Sequence, residues 1–419
     1  MPLRLSRSLQ GFDRRLWILF GGRVIAATGF SIVMPFLSIF LYTEMGVPMT
    51  LVGMIFLGNA LSGAVGQIIG GELADRLGRR PVMWTSMALR AAVFLLLSLA
   101  IANLVDLWLI SVLLMVSSLA GSLFEPATNA MVADLVPPGR RLEAYSILRV
   151  GQNVGWTLGP LLGGILAMFS YASLFVFTAL TSATVAIIMY AWMLDPRRWD
   201  AQTDRFHPRD LLKIGENRVF LLLCLATIPL MLVLGQMTST FALFAEDEVG
   251  ISVAEVGYLY ALNGVMVVFL QLPMARYVNR FRMTHVLTAG AVMYAAGYLI
   301  VGWASGIWVL AVSMIITTLG ENVTSPPSIN LVANISPENE RGRYMGVSGI
   351  FQTFGWSVGP LVGGVLYDTL VTTPMVLWGS IAAISLLSAA GFMWLSKIIP
   401  REMDLVSEGP ASRVGPSAQ

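Results

Sequence analysis

Runs of about twenty apolar residues, each closed by glycine, proline or charge, dominate this chain. A helix needs about 20 such residues to cross the hydrocarbon core of a bilayer. The pattern therefore predicts spans near 16–43, 50–71, 82–102, 107–133, 143–168 and 172–194, then 217–244, 254–277, 284–304, 307–333, 343–367 and 374–396. The narrowest break is Trp-Ala-Ser-Gly at 303–306. The polar stretch 195–216, charged and with two prolines, reads as a linker between two sets of six. The expected organisation is an N-terminal six-helix bundle (1–194), a cytoplasmic linker (195–216), a C-terminal six-helix bundle (217–397) and a disordered cytoplasmic tail (398–419). The fold class is an all-α membrane protein with twelve transmembrane helices.

Composition supports this reading, with 56% hydrophobic and only 12% charged residues. Soluble domains carry about 25% charge. Placement of the charge then sets orientation. With the N-terminus inside, the inner segments collect Arg76, Arg79, Arg80, Arg140, Arg141, Arg197, Arg198, Arg205, Arg209, Lys213, Arg218, Arg276, Arg280, Arg282, Arg341, Arg343, Lys397, Arg401 and Arg413. The outer loops carry Glu44, Asp106, Glu246, Asp247, Glu248 and Asp368, without Lys or Arg. That asymmetry is the positive-inside bias. It predicts a multi-pass plasma-membrane protein with both termini cytoplasmic. The apolar run after Arg14 and Arg15 is too long for a signal peptide and reads as a retained first span.

A net charge of +2 gives no case for nucleic acid. The single cysteine, Cys224, excludes an internal disulfide, and two histidines, His207 and His285, build no metal site. No P-loop is present, so neither an ATP-driven pump nor an enzyme is expected, and no cofactor is implied.

The chain repeats itself. GQNVGWTLGPLLGG at 151–164 matches FQTFGWSVGPLVGG at 351–364, and Pro126, Pro137 and Arg141 match Pro326, Pro337 and Arg341. Val52-Gly53, Asn59 and Gln67 match Val256-Gly257, Asn263 and Gln271. Two halves of like topology are parallel repeats about an axis along the membrane normal.

Between spans 2 and 3 stands Gly71-Glu-Leu-Ala-Asp75-Arg-Leu-Gly78-Arg79-Arg80. Its residues and position resemble the loop signature of the major facilitator superfamily. Gly71 and Gly78 permit tight turns, and Asp75 can meet neighbouring positive groups. The resemblance implies a latch between the halves, with Asp75 near the start of span 11 and Arg79 reaching Asp134. The second-half counterpart, Ala275–Arg282, lacks both glycines and has Asn279 for the acid, so an asymmetric latch is expected. In span 5, Gly155, Gly159, Pro160, Gly163 and Gly164 resemble the family's antiporter motif, repeated in span 11 as Gly355, Gly359, Pro360, Gly363 and Gly364. A glycine every fourth residue lets a neighbouring helix approach closely, so packing alone also accounts for the stripe. The motif's association with export is a family correlation. One departure is clear. Many drug:proton antiporters carry an Arg in span 4, and aligning on Gly121 puts Ser117 there.

Five ionisable residues fall inside predicted spans: Arg23, Arg90, Glu125, Arg149 and Glu321. Each costs about 2.5–3.5 kcal/mol or more at the bilayer centre if it faces lipid. Glu321 lies about 13 residues, or roughly 20 Å, from either end of span 10. Glu125, Arg149 and Arg90 fall at similar depths, where Glu125 and Arg149 can meet. Arg23 lies nearer the inner surface, where it can snorkel. Proton-coupling candidates are Glu125, Glu321, Arg149 and Arg90; a structural Glu125–Arg149 pair is the alternative. Cavity candidates are Gln152, Asn153, Trp156, Gln236, Asn263, Gln271, Gln352 and Trp356, because amides at span depth avoid lipid. The Pro326-Pro327 pair is expected to break span 10 as a hinge.

The resemblance implies a monomeric secondary transporter working by alternating access, with a small-molecule substrate, protons and the lipid bilayer as partners. Proton-coupled efflux of hydrophobic or amphipathic compounds is the leading reading. A proton-linked porter for a nutrient, metabolite or lipid stays open, as does, more remotely, a transporter-like sensor.

Overall fold

Helix follows helix with short joints, as the apolar runs require. The computed structural model describes residues 11–137, 140–194, 217–337 and 340–405. The linker 195–216 and the chain beyond 405, with the basic residues expected there, lie outside the described residues. No strand occurs among them.

Span 1 runs Arg14–Ile39, starting where the Asp13 carboxylate accepts the Arg15 backbone N–H at 2.9 Å, and continues as a π-helical turn, Phe40–Glu44. Hydrogen bonds from the Arg15 side chain hold the Asp13 carboxyl below its usual range. Span 2 (Met49–Leu77), span 3 (Arg79–Ala102), span 5 (Arg141–Ala167) and span 6 (Tyr171–Trp192) are single helices. Span 4 consists of two, Leu107–Ser122 and Phe124–Leu135. Span 7 is likewise divided, into Arg218–Gly235 and Thr240–Asp247 around a short 3₁₀ turn. Span 8 (Val253–Val278), span 9 (Met283–Val301), span 10 (Ile307–Ile335), span 11 (Arg341–Leu370) and span 12 (Pro374–Ile398) complete the order.

Ten of these segments are long and apolar enough to cross a membrane. The two that fall short in apolarity, spans 5 and 11, are the matched Gly-rich repeats, and they are long enough at 27 and 30 residues. Large apolar side chains such as Ile68, Phe169 and Leu387 are exposed. On a soluble protein they would be a liability, whereas lipid solvates them. Exposed Trp108, Trp303 and Trp308 flank span ends, where amphipathic rings suit the headgroup level.

The chain divides into two compact units, Met1–Thr203 with Thr238–Gly264, and Asp204–Met237 with Val265–Gln419. Their internal pairings correspond. Span 1 packs on 5 and span 3 on 6 in the first unit; span 7 packs on 11 and span 9 on 12 in the second. The glycine stripes make the seams. A methyl group on Gly155 would sit 2.7 Å from the Val24 carbonyl oxygen, and one on Gly163 would sit 2.6 Å from that of Ile32. On Gly355 and Gly359 it would sit 2.6 Å from the Ile228 and Leu232 oxygens. Only glycine admits backbones this close.

Two expectations need correction. Pro326 and Pro327 do not break span 10, whose helix is continuous from Ile307 to Ile335. Each proline removes one intrahelical bond, and the turns either side keep the helix together. The break lies instead in span 4 at Leu123, just before Glu125-Pro126. The start of the supposed tail is also folded. Asp404 is fully buried and accepts from Arg282 Nε at 2.7 Å, Thr284 N at 2.8 Å and Thr284 Oγ1 at 2.6 Å. Asn334 Nδ2 donates to the Met403 and Leu405 oxygens at 3.0 Å.

Candidate functional site

The break in span 4 supplies an acid. The irregularity is one residue long, since Leu123 keeps a right-handed helical backbone (φ −65°, ψ −27°), and Glu125 stands in the first turn after it. Pro126 has no N–H to leave unpaired there. Arg23 crosses from span 1, its Nη2 donating to Glu125 Oε1 at 2.6 Å and to Gln152 Oε1 at 3.0 Å. Arg23 is therefore turned into the bundle rather than snorkelling. The expected Glu125–Arg149 pair is not formed, because Arg149 lies on an exposed face of span 5. The Arg23 side chain is 13% exposed and that of Glu125 is 44%, so the pair is wet at its acidic end.

These residues line a cavity of about 200 Å³ inside the first unit, with Arg90, Phe30, Asn59 and Trp156. Arg90 enters from span 3 and is only 7% exposed. Its guanidinium lies 5.5 Å from the Phe30 ring centre and 5.3 Å from that of Phe94, within cation–π range. Gly121 makes the space, since a methyl group there would meet Arg90 Cδ and Nη1 at 3.0 Å. Ser117 lines the same cavity and turns its hydroxyl back to the Leu114 carbonyl at 2.7 Å.

Three buried polar atoms facing this cavity lack hydrogen-bond partners: Arg90 Nε, Arg23 Nε and Asn59 Oδ1. Phe30 meets Trp156 edge to face at 5.7 Å, giving the cavity an aromatic wall. The sequence marks Asn59 only as the repeat partner of Asn263, and Phe30 and Phe94 carry no signal of their own as cavity residues. Phe94 stands one helical turn from Arg90, a spacing that would have shown it.

The other candidates are scattered. Asn153 and Asn263 are half-buried in the first unit. Gln236 is fully buried and donates to the Gly359 oxygen at 2.8 Å, so it ties span 7 to span 11 instead of lining a cavity. Gln271, Trp356 and Gln352 are half-buried in the second unit, and Gln352 donates to Ser348 Oγ at 3.1 Å. Glu321 is half-buried at the middle of span 10.

In the loop signature, Gly78 has φ +98°, a left-handed conformation that joins the end of span 2 to the start of span 3. Gly71 lies in the last turns of span 2. Arg79 bridges Asp75 at 2.7 Å and Asp134 at 3.1 Å, and also donates to the Ala74 oxygen at 2.6 Å. Pro160, Gly164, Pro360, Gly363 and Gly364 are buried within their helices. Among the described residues no group of histidine, cysteine and acidic side chains is placed to hold a metal ion.

Comparison with known proteins bears on the family and the fold. Residues 19–247 and 223–415 match the family model described as Major Facilitator Superfamily. "Multidrug resistance protein MdtH" of Salmonella paratyphi B is 28% identical over 412 residues, covering 95% of this chain and 99% of that protein. The same-named protein of Salmonella arizonae is 28% identical over 406 residues, at 95% and 98% coverage. Among solved structures, a bacterial homologue of the human lysosomal transporter Spinster superposes with a TM-score of 0.77 at 16% identity, covering 95% of this chain and all (100%) of that one. The nucleoside transporter NupG superposes with a TM-score of 0.76 at 12% identity, covering 91% and 99%.

Proposed function

The chain belongs to the major facilitator superfamily, and from that premise we propose a proton-coupled exporter of amphipathic compounds. It acts as a monomer in the plasma membrane with both termini cytoplasmic. The observation that carries the reading is the wet Arg23–Glu125 pair in the aromatic-walled cavity of the first unit. The multidrug-resistance names of its relatives support the substrate class.

A proton on Glu125 removes its charge and weakens its hold on Arg23, which keeps Gln152. The cavity thereby changes by one unit of charge with each proton taken up or released. Glu321, half-buried at mid-span, is the corresponding carrier of the second unit. Inward proton movement is worth about 2.3 kcal/mol per 100 mV of membrane potential, and export draws on that drop. Gly78, Arg79, Asp75 and Asp134 form the latch that biases one access state.

Reconstitution in proteoliposomes under an imposed pH gradient tests the scheme. Glu321→Gln is expected to abolish gradient-driven transport and Glu125→Gln to lower it about a hundredfold or more, the scale of a lost general acid–base group. Both proteins should remain helical by circular dichroism. Gradient-driven transport at the wild-type rate in both variants would remove these acids from the mechanism.

A further inference from the structure

We propose that the first-unit cavity is a carboxylate-recognition site, and that Arg90 holds the carboxylate of a compact aromatic acid or of the acidic end of a larger amphipathic substrate. The inference rests on the exporter reading of this cavity and adds the charge its cargo presents there.

The cavity is electrostatically unfinished. Three ionisable side chains line it: Arg23, Arg90 and Glu125. Glu125 is committed to Arg23 at 2.6 Å. Among the described residues, no carboxylate lies within ion-pairing distance of Arg90, and its Nε has no hydrogen-bond acceptor. Arginine keeps its charge, and an unpaired charge held out of water is costly enough that buried cations are ordinarily paired. This one is more than nine-tenths buried inside a membrane-spanning bundle. With one negative and two positive charges, the site lacks a single unit of negative charge, and its cargo supplies it.

The surroundings narrow the chemistry. The Phe30 and Phe94 rings beside the guanidinium are apolar partners for a cation and leave it in need of hydrogen-bond acceptors. A planar fork of N–H donors fits a planar carboxylate bidentately. Apolar flanks disfavour a dianionic phosphate, whose second charge would go unmatched. Trp156 and Phe30 present ring faces and edges to an aromatic body. A volume of about 200 Å³ is below the roughly 300–1,000 Å³ of pockets that enclose a whole drug-sized molecule, so the site takes one end of a large substrate or all of a small one. Asn59 Oδ1, unpartnered in the same wall, offers an acceptor to an N–H or O–H on the same ligand.

The test is equilibrium binding to the purified full chain in zwitterionic nanodiscs, without any gradient, by isothermal titration calorimetry. The probes are 2-naphthoate, its neutral isostere 2-naphthamide and the cation 2-naphthylmethylammonium. The acid should bind about tenfold or more tighter than the amide, as expected for a charge-assisted bidentate contact. Arg90→Gln should erase that preference and Arg90→Lys keep part of it. Gly121→Ala, which pushes the guanidinium aside, should reduce it. Should the Arg90 variants fail to fold, the wild-type ratio of acid to amide still decides. Equal binding of acid and amide, tightest binding of the ammonium, or no binding of any probe would overturn the proposal. Intact gradient-driven transport in the Glu125 and Glu321 variants would overturn proton coupling while leaving the acid-to-amide ratio untouched, so the two failures are distinguishable.

Discussion

Spans 3 and 4 of the first unit and spans 9 and 10 of the second occupy matching places in the repeat, yet their interiors carry different chemistry. The offset of 204 that aligns Val52 with Val256 also aligns Arg90 with Tyr294 and Phe94 with Tyr298. The offset of 200 that aligns Pro126 with Pro326 sets Gly121 against Glu321. In the first unit a cation lies on a glycine. In the second, a fully buried tyrosine packs against Gly320, beside the acid, and the buried amide of Asn322 has no hydrogen-bond partner. The two halves share their packing and differ in their charges. The seams are glycine in both because backbone contact leaves no room for a side chain.

Three measurements would break or sharpen that contrast. The largest effect belongs to what the units share. Gly159→Leu and Gly359→Leu should each cost about 3 kcal/mol or more by overpacking a backbone contact, read as loss of monodisperse protein and a lowered unfolding temperature. A variant that unfolds normally would show that the two seams are not equivalent.

Next come the loops between spans 2 and 3 and between spans 8 and 9. Asp404→Ala removes a fully buried carboxylate with three donors and leaves a partly exposed Arg282 without it, a loss of about 2 kcal/mol. Asp134→Ala removes only one of two acids around Arg79 and should cost about half that. Equal thermal shifts for the two variants would erase the asymmetry.

The smallest effect lies in the cavity pair. A double-mutant cycle with Arg23→Gln and Glu125→Gln should give a coupling near 1 kcal/mol, because the carboxylate is almost half exposed. A coupling of zero would show that Arg23 serves Gln152 rather than Glu125.

The helices were legible in the sequence because lipid demands long apolar runs, and the family was legible because Gly78 and the paired glycine stripes are dictated by backbone geometry. Partners across helices were not. Glu125 was matched with Arg149 by depth alone, but depth says nothing of azimuth, and Arg149 faces away. Arg23 was placed near the surface by counting residues, although the direction of its side chain is set by the seam that brings Gln152 alongside it. The prolines misled in a similar way. Pro126 and Pro326 read alike, yet only span 4 breaks nearby, at Leu123. Asp404 is not legible in the sequence, because a Gly/Ser/Pro-rich neighbourhood outweighs one acid in composition.

That acid comes last in the chain of contacts that close the second unit. Arg282 enters the chain before span 9, but its carboxylate arrives only after span 12 has been synthesised. The Arg282 Nη2 also donates to the Ser396 and Ile399 oxygens at 2.6 and 3.0 Å, so the end of span 12 meets the cation first. The Asp404 contact thus completes a hold that span 12 begins: a chain cut short at the twelfth helix offers Arg282 the Ser396 oxygen and still lacks the carboxylate.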